Sequence, residues 1–173
     1  MGSTLKYKII RYIGYTVELL AFFVLQETPG FIPAVFGARP VLVVPAVIAI
    51  AMFENEIPAM LFGLFGGLLM DFGFSGILGY HGMLLAVCCY VVSLIATNLL
   101  QTNFITTMLI SLVCIAAVTV LQWLFFYVLY GYRSVLYALV YHYLPIFAYT
   151  MLLMPIAYYF NRALALQIRS KEE

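Results

Sequence analysis

Charge is what this sequence has least of. Only 9% of its 173 residues are charged, and 66% are hydrophobic. Soluble domains carry about a quarter charged residues and under half apolar ones. A water-solvated chain of this size has too much surface to cover for such a composition, so lipid is the solvent that fits. Length excludes more. A membrane-spanning helix takes about 20 apolar residues, and six of them with short loops nearly use up the chain. No room is left for a separate catalytic, nucleotide-binding or DNA-binding domain. A net charge of +1 implies no nucleic-acid partner. Cys88, Cys89 and Cys114 lie in apolar runs with neither zinc nor disulfide spacing and read as small buried residues. No loop resembles a phosphate cradle, and no histidine is paired by motif with a Ser or Cys nucleophile. No cofactor is implied, and an enzyme is not expected.

What is present is a series of apolar runs. The expected fold is all-α, a polytopic membrane bundle of six transmembrane helices in one domain. The runs place spans at 9–25, 41–53, 58–72, 79–99, 104–130 and 135–160. The second and third are short, since 13 helical residues rise only ~20 Å. They need extended ends, a thinner bilayer or shelter by longer neighbours; a re-entrant pair is the alternative, leaving four full spans. Pro29, Gly30, Pro33, Gly37 and Pro40 argue against helix in the first loop. Gly73, Ser75 and Gly76 mark a second loop, residues 98–103 a polar turn, and residues 131–134 a tight one. Pro145 and Pro155 fall inside the last span and should kink it. A short charged tail follows. The basic N-terminal start resembles a signal peptide, but Glu18 interrupts the apolar stretch and no cleavage site ends it; the segment reads as a retained first helix.

Six of the eight basic residues, Lys6, Lys8, Arg11, Arg162, Arg169 and Lys171, lie near the two ends of the chain. The positive-inside rule puts both ends in the cytoplasm and requires an even number of spans. With six, Arg39 and Arg133 fall outside. Tyrosines cluster near span ends (Tyr7, Tyr12 and Tyr15; Tyr127, Tyr130, Tyr132 and Tyr137; Tyr158 and Tyr159), as interfacial belts do.

The segment 62–81, FGLFGGLLMDFGFSGILGYH, holds the main candidates. Gly63, Gly67 and Asp71 recur every four residues and share one helical face. The glycines admit a neighbouring backbone, and Asp71 ends the stripe. An acid at that depth must face protein or water. It is either a packing residue that caps the next loop or a partner contact or pocket-lining acid. In the second case Asp71→Ala leaves the chain folded and weakens partner binding. Glu18, near the middle of the first span, needs a proton, a cation or a polar cavity. Arg11, two turns away, is too far for a direct pair. An interhelical hydrogen bond and a functional cavity both suit Glu18. Glu54 and Glu56 read most simply as a solvated cytoplasmic turn. His81 and His142 sit near outer span ends. With Asp71 they would have to come from three helices to hold a metal, and no ligand spacing links them, so no metal is expected.

Residues from Pro40 to about Leu100 resemble the rod shape-determining protein MreD family. The matching features are a Gln ending helix one (Gln26), a Pro opening helix two (Pro40), a GxxxGLLxD segment (Gly63 and Gly67 to Asp71), and a Gly starting helix four (Gly79). The acid that often follows that Pro in the family is Val41 here. The resemblance implies a non-enzymatic membrane scaffold with the partner MreC, a bitopic protein, and indirectly MreB filaments, in the machinery of peptidoglycan elongation. It also implies a six-helix fold like the S component of energy-coupling-factor transporters and a bacterial inner-membrane location. Partner or pocket candidates are then Glu18, Gln26, Pro40, Gly63, Gly67, Asp71, Gly79 and His81. The alternative is an S-component-like protein that binds a small solute for uptake through Glu18, Asp71, His81, His142 and the tyrosines, with the 26–40 loop as a lid.

Overall fold

The computed structural model describes residues 2–31, 33–34, 39–73, 78–98, 103–128 and 135–169. Gly37, Ser75, Gly76, residues 99–102, Tyr130, the expected turn at 131–134 with Tyr132 and Arg133, and the last residues with Lys171 lie outside that description.

The described residues form helices and no strand. In chain order these are α1 (Gly2–Glu27), α2 (Val43–Phe53), α3 (Glu56–Gly73), α4 (Tyr80–Asn98) and α5 (Phe104–Trp123), the last continued by a π turn, Leu124–Val128. A final rod follows, made of α6 (Val135–Ala138), a second π turn (Leu139–Tyr143) and α7 (Leu144–Arg169). That makes six helical rods in a membrane bundle. Five are long and apolar enough to cross a bilayer: Lys6–Glu27, Glu56–Gly73, Tyr80–Asn98, Phe104–Val128 and Leu139–Leu166.

The exception, α2, organises the rest. Its 11 residues, VVPAVIAIAMF, rise only about 16 Å. They are apolar all round, and a helix of that kind belongs inside a protein. Val43 to Met52 are all buried, and α1, α3, α4, α5 and α7 pack around them. The outer rods point large side chains away from that centre. Phe72 and Met83 are each 73% exposed, which costs little only where lipid meets them.

Helix ends depart from the apolar runs where nothing in the sequence breaks the helix. The basic start is helical from Gly2 and the C-terminal segment through Arg169, the latter built largely from good helix formers. α3 begins at Glu56, an acid that suits the positive end of a helix dipole, and Pro58 falls in its first turn, where no N–H partner is lost. At 18 residues, α3 is long enough to cross a bilayer. Pro145, expected as a kink, directly follows a π turn in which the Leu144 N–H donates to the Leu139 carbonyl. A proline ring clashes with the carbonyl four residues back, and a wider turn there relieves the crowding. Pro155 stays within α7. Two tyrosines expected in the interfacial belts are instead interior: Tyr15 is fully buried and Tyr158 nearly so.

Candidate functional site

The glycine stripe of α3 faces α4. A Cβ placed on Gly63 would stand 2.6 Å from the Leu85 carbonyl oxygen and 2.9 Å from the Cys89 sulfur. One on Gly67 would strike the His81 carbonyl oxygen and the backbone of Gly82. Gly82 in turn lies under Leu64 and Leu68. The backbones of the two helices are in contact, and only glycine permits that approach.

At the end of this seam Asp71 reaches the first turn of α4. Its Oδ2 accepts the Gly79 N–H at 2.9 Å and the Gly82 N–H at 3.1 Å. Its Oδ1 accepts the His81 N–H at 3.1 Å and lies 2.7 Å from His81 Nδ1. A helix start leaves its first N–H groups without partners, and here a carboxylate from the preceding helix supplies them while sitting at the favourable end of the dipole. Gly79 makes the turn possible with φ of +92°. The chain of polar contacts continues, because His81 Nε2 is 2.5 Å from the Gln122 amide nitrogen on α5. With Nδ1–H donating to Asp71, Nε2 accepts from Gln122, so one imidazole links α3, α4 and α5. Tyr80 packs edge-on to His81 and against Phe125 and Phe126 of the α5 π turn. His142 is elsewhere, exposed on the second π turn against Tyr143.

Gln26 performs the same service for α2. Its Oε1 accepts the Leu42 N–H at 2.9 Å and the Val43 N–H at 3.5 Å, and Thr150 of α7 accepts the Val41 N–H at 3.1 Å. Pro40 is buried just ahead of this turn. At the other end of α2, Ser93 of α4 donates to the Glu54 carbonyl at 2.6 Å. Helix α2 is buried, and its neighbours' side chains satisfy its termini.

Two further polar contacts involve α1. Glu54 is no solvated turn residue. It is 7% exposed, and its carboxylate meets Arg11 of α1, with Nε to Oε1 at 2.7 Å and Nη2 to Oε2 at 3.3 Å. Buried partners of this kind are costly to separate, because each leaves the other's charge uncompensated. Glu56 is half-buried. Glu18 is also buried, and its Oε1 accepts from Asn161 of α7 at 2.7 Å. Of the candidates, the structure brings Gly67, Asp71, Gly79 and His81 into one cluster and places Gln26 with Pro40 beside the start of α2. Glu18 stands apart. The spacing of apolar residues does not single out Gln122, Thr150, Ser93 or Asn161; the available signal for the first three is a polar residue inside an apolar run, and Asn161 lies beside Arg162.

Among the described residues, apolar grooves include the following two. One, of about 210 Å³, lies between α1 and α3 and is lined by Tyr12, Thr16, Pro58, Leu61, Phe62 and Phe65. The other, of about 230 Å³, has Phe22 and Leu25 of α1, Leu42 and Pro45 before and in α2, and Tyr149 and Leu153 of α7 in its walls.

No curated protein and no solved structure matches the chain. A family model does, over residues 7–163, nearly the whole length. That range contains most of α1, most of α7 and every element between them, together with the Gly63–Asp71 stripe, and so the chain belongs to the rod shape-determining protein MreD family, multi-pass membrane proteins with a role in setting rod cell shape.

Proposed function

We propose that this chain is a non-enzymatic scaffold of the bacterial cytoplasmic membrane, with both ends on the cytoplasmic side. It binds MreC and supports the peptidoglycan elongation machinery, with MreB as an indirect partner. One observation carries the reading. In a chain that matches the MreD family over residues 7–163, the acid of the GLLMD segment is bonded to the next helix through three backbone N–H groups and His81. The polar residues serve assembly of the bundle, while its outside is apolar. The solute-binding reading needs Glu18, Asp71 and His81 in a pocket, and each is instead bonded to a neighbouring helix.

The test is a detergent pulldown of the tagged native protein followed by mass spectrometry. MreC should be recovered together with cell-wall synthases. Recovery of ATPase and coupling subunits without MreC would overturn the scaffold reading in favour of a transporter component.

A further inference from the structure

Asn161 is fully buried, and both hydrogens of its amide are committed. Nδ2 lies 2.7 Å from Glu18 Oε1 and 2.9 Å from the Ala157 carbonyl oxygen. Two acceptors flank the nitrogen, so the amide cannot be turned over without setting oxygen against oxygen. Its own Oδ1 is left buried with no partner, and so is Glu18 Oε2. Two side chains already joined by one hydrogen bond therefore each keep one unsatisfied acceptor. Buried acceptors of this kind are rare in folded proteins and call for an explanation.

A single hydrogen would satisfy both. We propose that Glu18 and Asn161 form a proton-binding site in the α1–α7 seam: the proton rides on Glu18 Oε2, donates to Asn161 Oδ1, and closes a cyclic acid–amide pair between the two helices. The proton comes from water, and no other bond is made or broken. The surrounding charges leave this role open to a proton. Arg11, two turns away on α1, is engaged with Glu54 from the α2–α3 turn. Tyr15, one turn away, is buried beside the same pair. Arg162, next to Asn161 on α7, is exposed and holds its guanidinium 6.0 Å from the Tyr158 ring centre. A bare carboxylate at this depth would keep one buried oxygen without a partner. Because α1 and α7 also wall the groove lined by Phe22, Leu42 and Tyr149, the proton locks the two sides of that groove together.

The site is independent of which partner the protein binds, and its test uses the purified full chain in lipid nanodiscs at neutral pH. Infrared difference spectra of the native protein against Glu18→Gln should show the carbonyl band of a neutral carboxylic acid that the variant lacks. Glutamine offers an N–H where the acid offers its O–H, so Glu18→Gln should melt close to the native protein. Glu18→Ala, which loses both bonds, should melt several degrees lower. Loss of a carboxylate band instead of an acid band would overturn the proposal and indicate an ionised Glu18 bridged by water. A Glu18→Gln variant that melts as low as Glu18→Ala, or does not accumulate, would overturn it too.

Discussion

Between α3 and α4 the backbones meet through Gly63, Gly67 and Gly82. Helices α5 and α7 contain no glycine and meet through side chains, with Phe104 edge-on to Tyr158 and Ser111 beside Met151. The difference follows from what each seam has to hold. Lipid gives helices no hydrophobic reason to associate, so contact must come from packing or from polar bonds. A glycine seam brings main chain to main chain, and Asp71 can then reach the amides of α4 directly. A side-chain seam keeps the backbones apart and relies on many weak, replaceable contacts. The first should be intolerant of substitution and the second forgiving.

The largest effect is expected at Gly67. A leucine there has no volume to occupy, because the first added carbon already collides with the backbone of His81 and Gly82, and that backbone cannot swing aside as a side chain does. Gly67→Leu should abolish accumulation of folded protein, read by fluorescence size-exclusion chromatography of a tagged variant. Gly14→Ala is the control, since its nearest neighbour would be a Leu164 methyl at 3.8 Å, and it should accumulate like the native protein. A folded Gly67→Leu would erase the contrast between the seams.

Next comes Asp71. Its replacement by alanine leaves the α4 amides and His81 without their shared acceptor. Losing a helix cap costs about 0.5–2 kcal/mol, and each buried donor left unsatisfied adds about 1–3 kcal/mol. Asp71→Ala should therefore lower folded yield strongly, while Asp71→Asn, which keeps an acceptor oxygen, should recover much of it. A well-folded Asp71→Ala with altered cell shape would instead return the acid to a partner-facing role.

Gln26 should matter less, because its amide is neutral and it shares the start of α2 with Thr150. Gln26→Leu is expected to cost about 1–2 kcal/mol, seen as a melting temperature a few degrees lower, with Thr150→Val adding to it. Strict additivity of the two would mean that the caps act independently rather than as one cluster.

The sequence made some of this legible and left some hidden, for identifiable reasons. Apolar runs were enough to count six rods, and the four-residue spacing put Gly63, Gly67 and Asp71 on one face. What spacing cannot supply is the partner across a seam. Asp71 is bonded to residues 79–82, close in sequence, so capping of the next loop could be entertained. Arg11 and Glu54 are 43 residues apart, and Glu54 beside a turn looked solvated because nothing local hinted at α1. Asn161 and Glu18, 143 residues apart, were invisible as a pair for the same reason. A single polar residue in a membrane run says that a partner exists, but not on which helix.

The smallest effect should come from the side-chain seam. Ser111 is fully buried, yet its hydroxyl donates to Met108 one turn back on its own helix at 3.0 Å, and only then meets the Met151 sulfur at 3.8 Å. Sulfur is a weak acceptor, and polar contacts between membrane helices average about 0.6 kcal/mol. Ser111→Ala removes the hydroxyl but leaves its Met108 carbonyl acceptor in the backbone ladder of α5, so no buried group is orphaned. The variant should melt within about 2–3 °C of the native protein, since ~0.6 kcal/mol shifts a chain of this size by about 1–2.5 °C. A drop as large as that of Gln26→Leu would mean that α5 and α7 depend on this one bond, and the seam would then be specified as narrowly as the glycine seam.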